Sequence, residues 1–181
     1  VSDAHPGLRA ELHLVAGVVL HAVGYAAEGV DRLRQAAALA PGELRYLVPL
    51  ANALIIAGDP AGAVQALAAA AQGPQGRAVR VYQGCAHALA GQPDQAIPLL
   101  EGAKGMTLPH LRDVRYAGLA CLAHALLAKG QPVQAERVLA PIRVQAANPG
   151  TAPGIAWRLM ALDGRIALAR KDPLTAARRW I

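Results

Sequence analysis

The sequence predicts an all-α protein built of about five antiparallel helix pairs, and three observations carry that expectation. Apolar residues make up 54% of the chain, yet Phe is absent and Ala with Gly fills 60 of the 181 positions. A core so poor in rings and so rich in small residues suits closely approaching helices better than a β-sandwich. Gly and Pro punctuate the helix-forming runs at intervals, and no sustained two-residue alternation marks a strand. Finally, one short turn pattern recurs along the chain.

The first copy is the weakest: Gly24 stops a helix, Ala26 takes the first turn of the next, and Gly29, Val30 and Leu33 follow. Gly58-Asp59-Pro60 then leads to Ala63 and Leu67, Gly91-Gln92-Pro93 to Ala96 and Leu100, and Gly130-Gln131-Pro132 to Ala135 and Leu139. In the fifth copy Lys171 replaces Gly before Asp172-Pro173, and Ala176 and Trp180 follow. Each part of the pattern has a physical reason. Gly ends a helix, a polar residue caps the next, and Pro occupies a first turn where its missing N–H costs nothing. From Ala26 through Pro60, Pro93 and Pro132 to Pro173 the intervals are 34, 33, 39 and 41 residues, the length of a helical hairpin.

The helix before each turn provides an independent check. Nine positions before each Pro-equivalent residue stand Gly17, Ala51, Gly84, Ala123 and Gly164, and three after it stand Gly29, Ala63, Ala96, Ala135 and Ala176. All ten are small, although only one residue in three is, so these are the expected helix-to-helix contacts. The repeats accordingly run at about 10–43, 44–76, 77–115, 116–156 and 157–181 within a single repeat domain covering 1–181. The last is incomplete, which points to a fragment of a longer protein or an end covered by a partner. The extra length of the later units reads as loops at Gly102–Asp113 and Gln145–Gly154. Pro49, Pro98 and Pro141 fall inside expected helices and should bend them or move their ends.

These residues resemble the tetratricopeptide repeat (TPR), with its small residue in the first helix, its Gly-Asp-Pro type turn, and an Ala then a large apolar residue in the second. Pro41 matches the proline that closes a unit. The 39- and 41-residue units are similar instead to the longer repeats of maltose-regulator-type activators. The TPR resemblance implies a right-handed α-solenoid whose first helices line a concave groove. In that register the groove residues are Arg45, Asn52, Ile55, Val81, Cys85, His124, Leu127, Arg158 and Arg165. Asn52 matches an Asn that holds a ligand's main chain in the family. Val48 and Ala78 replace basic residues of the chaperone-type carboxylate clamp, which disfavours a chaperone tail. Arg158 and Arg165, with His124 from the preceding repeat, suit an acidic segment.

Chemistry finds little footing here. Cys85 and Cys121 form no CxxC pair and read as free buried thiols, and His13 and His21 lack partners for a metal site. No nucleophile and base, phosphate loop or metalloprotease motif is present, so neither an enzyme nor a cofactor or metal is expected. The net charge of +6 comes from 15 Arg and 3 Lys, a bias typical of GC-rich genomes, and the Arg residues lack aromatic interleaving. Nucleic-acid binding through Arg158 to Arg179 is therefore the weakest of the alternatives. The expectation is a non-catalytic scaffold for a protein or peptide, with a sensory or assembly segment of a larger transcription regulator as the second choice. No segment suits a membrane span, Val1 to Pro6 lack a leader pattern, and the cytoplasm is expected unless a leader has been removed. The uncapped C-terminal end is a candidate for self-association.

Overall fold

The computed structural model describes residues 5–68, 70, 76–106, 112–146 and 153–180, and all regular structure among them is helical. In chain order the helices are α1 (Pro6–Ala22), α2 (Ala26–Leu39), α3 (Leu44–Ile56), α4 (Pro60–Ala68), α5 (Gly76–Leu89) and α6 (Pro93–Leu100). A 3-10 turn (Glu101–Gly105) precedes α7 (Arg112–Ala128), α8 (Pro132–Ala146), α9 (Pro153–Ala169) and α10 (Pro173–Trp180).

All five turns are closed in the same way. The backbone is left-handed at Gly24, Gly58, Gly91 and Gly130, with φ of 98°, 84°, 72° and 70°, and at Lys171, with φ of 61°. The next amide then reaches back five residues: Tyr25 N–H to Leu20 O, Asp59 to Leu54, Gln92 to His87, Gln131 to Leu126 and Asp172 to Ala167, all at 2.8–2.9 Å. This Schellman closure satisfies carbonyls that a helix end leaves bare. Lys171 adopts it against a Cβ penalty of about 1 kcal/mol that Gly avoids. Two turns also cap the following helix. Asp59 Oδ1 accepts from the Gly62 amide at 2.8 Å and Asp172 Oδ1 from the Thr175 amide at 3.1 Å. The hydrogen bonds from Thr175 hold the Asp172 carboxyl below its usual range.

The small contact positions do what their spacing requires. A Cβ on Gly29 would lie 2.8 Å from the His21 backbone nitrogen and 3.0 Å from the Gly17 carbonyl oxygen, so α1 and α2 touch backbone to backbone. Ala51, Ala63, Ala96, Ala123 and Ala135 are buried, as are Gly84 and Gly164, while the Ala176 side chain lies outside the described residues. Leu33, Leu67, Leu100 and Leu139, seven residues after the Pro-equivalent positions, are fully buried. Each of these leucines contributes about 2 kcal/mol of transfer free energy. Trp180, at the same position in the last copy, has a side chain outside the described residues.

By internal packing the chain divides into two compact units, Val1–Ala86 and His87–Ile181. In the first, Leu33 of α2, Leu47, Leu50 and Leu54 of α3, Leu67 of α4 and Val79 of α5 form one core. In the second, α7 packs on α6 and α8, and α9 packs on α7, α8 and α10. Its buried residues include Leu100, Met106, Leu122, Leu139 and Ile142.

Three expectations need correction. The segment expected as a loop at Gly102–Asp113 is in part structured: a 3-10 turn seats Met106 in the core and α7 begins at Arg112. Similarly, α8 extends to Ala146 and α9 starts at Pro153, so the expected Gln145–Gly154 loop is helical at both ends, and residues 107–111 and 147–152 lie outside the described residues. The proline expectation is not among them: Pro49 and Pro141 sit inside α3 and α8, and α6 gives way to the 3-10 turn at Glu101, three residues after Pro98. Lastly, neither cysteine is free: both Cys85 and Cys121 are disulfide-bonded. Motif spacing did not reveal this because such a bond is made by the fold rather than by local sequence.

Candidate interaction surface

The first helix of each pair carries the positions expected to face a ligand. In the first unit, α1 and α3 are neighbours. Glu11 of α1 accepts a hydrogen bond from Arg45 Nη2 through Oε2 and one from the Tyr46 hydroxyl through Oε1, both at 2.7 Å. Glu11 and Arg45 are 34 residues apart, the same position in successive repeats, so stacking has aligned equivalent side chains. The bond to Glu11, followed by burial, holds the Tyr46 phenol above its usual range.

Asn52 is exposed on α3, while Ile55 is half-buried and packs against the first core. Val81 and Cys85 behave differently. Both are buried, along with Ala78 and Ala88 on the same face of α5. That face is apolar along its length and follows the logic of a core stripe. It does not present side chains to solvent, contrary to the groove expectation for these two residues.

In the second unit, α9 brings Arg165 to His124 of α7, with Nη1 2.9 Å from Nδ1. Their 41-residue separation equals the last repeat interval, which again matches like positions. A guanidinium only donates, so His124 accepts at Nδ1 and carries its proton at Nε2 as a neutral ring. Burial, and then the charge of Arg165, hold the histidine below its usual range. Arg165 is exposed and Leu127 half-buried, and the side chain of Arg158 lies outside the described residues.

A pocket of about 390 Å³ between α8, α9 and α10 was not anticipated. Arg143 of α8 binds Asp163 of α9 there, and Arg170 Nη1 meets Glu136 Oε2 at 2.6 Å. Asp163 is 8% exposed, and a carboxylate so buried is retained only where a partner neutralises it. Both arginines of the pocket are thus taken up by carboxylates within it, while its third carboxylate, Asp172, accepts from the Thr175 amide. Glu136 of the second helix α8 and Arg170 at the end of the first helix α9 are not equivalent repeat positions, so the register could not pair them. Among the described residues, no group of three or more His, Cys, Asp or Glu side chains converges, and no helix is long and apolar enough to cross a membrane.

Helix pairs with a left-handed turn, small residues at the crossing and like positions aligned define a TPR-like helical-repeat protein. Solved structures agree on the fold. A Podosopora anserina chain assigned as a kinesin light chain, with nearly identical TPR-like repeats, is 22% identical with a TM-score of 0.65, over 98% of this chain and 94% of that one. A single-substitution form of that chain is 23% identical with a TM-score of 0.67, over 98% and 93%. No family model matches the sequence, and no curated protein does.

Proposed function

We propose that the chain is a non-catalytic scaffold that holds an acidic segment of a protein or peptide partner on its first-helix surface. The observation that supports this most directly is the pairing of Arg165 with His124. It fixes an exposed guanidinium on a half-buried neutral ring, so a carboxylate meets a cation whose position is already set. Asn52, exposed on α3, supplies an amide for the main chain of a bound segment. Arg45 is less available, because Glu11 already holds it. Arg158 joins Arg165 in this reading through sequence register alone.

The disulfide-bonded state of both cysteines supports an oxidising compartment rather than the cytoplasm, since cytosolic thiols are kept reduced. Thiol titration of the unfolded protein from its native source checks this: no reactive thiol without reductant and two with it is the expected outcome.

An array of acidic, neutral and basic peptides tests the binding reading. Acidic peptides should be retained, and Arg165→Glu should lower that binding roughly tenfold by exchanging attraction for repulsion. Asn52→Ala should weaken all bound peptides without changing the preference for acidic ones. Equal binding by wild type and both variants would remove these residues from the surface. Salt-sensitive retention of single-stranded nucleic acid instead would favour a nucleic-acid function.

A further inference from the structure

We propose that the space between α8, α9 and α10 binds an aliphatic ammonium group, carried either by a free alkylamine or by a lysine side chain of another protein. Its volume of about 390 Å³ lies within the range of roughly 300–1,000 Å³ in which small molecules are held. It sits on the side of α9 turned toward α8 of the preceding repeat. There α8 packs on α9 and α9 on α10, so the walls support one another.

The residues lining this space depart from the repeat. Counting back 41, 39, 33 and 34 residues in turn from Asp163, the equivalent positions hold Leu122, Gln83, Leu50 and Ala16, and both leucines are core residues. Counting back 39, 33 and 34 from Glu136, they hold Ile97, Val64 and Val30. Two positions that are uncharged in every earlier repeat thus carry carboxylates here, and both line one cavity. Stability alone does not account for the exchange, since a buried ion pair is commonly no better than a packed apolar replacement.

Charge and hydrogen bonding define what fits. With two arginines and three carboxylates, the described lining carries one negative charge in excess. Arg143 engages Asp163 through Oδ1, and Oδ2 accepts no hydrogen bond from the described residues. That oxygen is not sealed in the interior, where His21 Nδ1 and Arg115 Nε are the buried atoms left without partners among the described residues. It is therefore the open acceptor of a side chain only 8% exposed, and the pocket is what it opens into. An ammonium is its complement, with three donors, no acceptor and one positive charge. Ile166 and Ala167, both buried, give a methylene stem an apolar surface to lie on. An anion is disfavoured, because both arginines are already engaged.

NMR titration of the isotope-labelled, disulfide-bonded chain at low salt tests the site. Cadaverine should bind below about 1 mM and shift amides of α8, α9 and α10, whereas pentanol and valerate, of like length but neutral or negative, should not. A lysine derivative blocked at both ends separates the sources: binding like that of cadaverine assigns the site to a protein side chain, and failure beside bound cadaverine assigns it to a free amine. Asp163→Asn should weaken cadaverine about tenfold, and Glu136→Gln, at a half-buried position, should weaken it severalfold. Because Asp163→Asn strands Arg143, the paired change Asp163→Leu with Arg143→Met restores the repeat's own leucine. It should keep its helicity by circular dichroism and lose cadaverine binding. No shift at about 10 mM cadaverine, equal binding of pentanol, shifts confined to other helices, or full affinity in Glu136→Gln and the paired variant would each overturn the proposal.

Discussion

The first and last hairpins follow one pattern but place their glycines differently. In α1–α2 the crossing is Gly17 against Gly29 and the turn is Gly24; in α9–α10 the crossing positions are Gly164 and Ala176 and the turn is Lys171. At the first crossing there is no room for a methyl group, because a Cβ on Gly29 meets backbone atoms that cannot rotate away. The last hairpin already carries a Cβ at the matching position, and another at its left-handed turn residue. A shared register therefore does not mean a shared tolerance: glycine is a steric requirement in one hairpin and a replaceable preference in the other.

Substitution can sharpen this contrast, with the largest effect expected at the first crossing. Gly29→Ala should destabilise the protein by up to about 2 kcal/mol in urea titration, since an overpacking cost of about 1–3 kcal/mol is offset by only the roughly 1 kcal/mol that Ala gains in a helix. A gain in stability would mean that α1 and α2 do not approach as closely as described. A smaller effect of opposite sign is expected at the last turn. Lys171→Gly should stabilise by about 0.5–1 kcal/mol by relieving a left-handed residue that bears a Cβ, whereas Gly130→Ala should cost about 1 kcal/mol. If both changes moved stability in the same direction, backbone conformation would not be what separates the two turns.

The smallest effect concerns α9's contact with its neighbour. The folded pKa of His124 lies below its ordinary value of 6.5, so the folded state favours the neutral ring. Its contribution is complete above that ordinary value and is lost as the pH falls through the folded one. Urea midpoints measured across this range should therefore fall on acidification, and His124→Gln should flatten the slope.

The hairpins were readable in the sequence because their signals are local. Gly24, Gly58, Gly91 and Gly130 mark left-handed turns whose hydrogen bonds span six residues, and even Lys171 was placed by Asp172-Pro173 after it. The ten small positions also followed from helical spacing alone. What escaped was set by tertiary contact. Met106 enters the core through a 3-10 turn inside a segment whose Gly and Pro content suggested a loop. The disulfide bonding of Cys85 and Cys121 and the Arg143–Asp163 pair involve residues that no local motif connects. The candidate surface was legible to the same extent. Repeat spacing brought His124 and Arg165 together, but it could not distinguish exposed Asn52 from buried Val81, which hold different groove positions on equivalent helices. That distinction depends on what covers each helix.

The five Schellman turns also bear on how the chain reaches its native state. Each joins residues only five apart, so its closure requires almost no long-range search. Such a turn can form within microseconds, and each hairpin can assemble as soon as its second helix has been synthesised, before later repeats exist. The turns are thus prepared locally, while lasting protection of the helices waits for stacking, since the first core draws on α2, α3, α4 and α5 together.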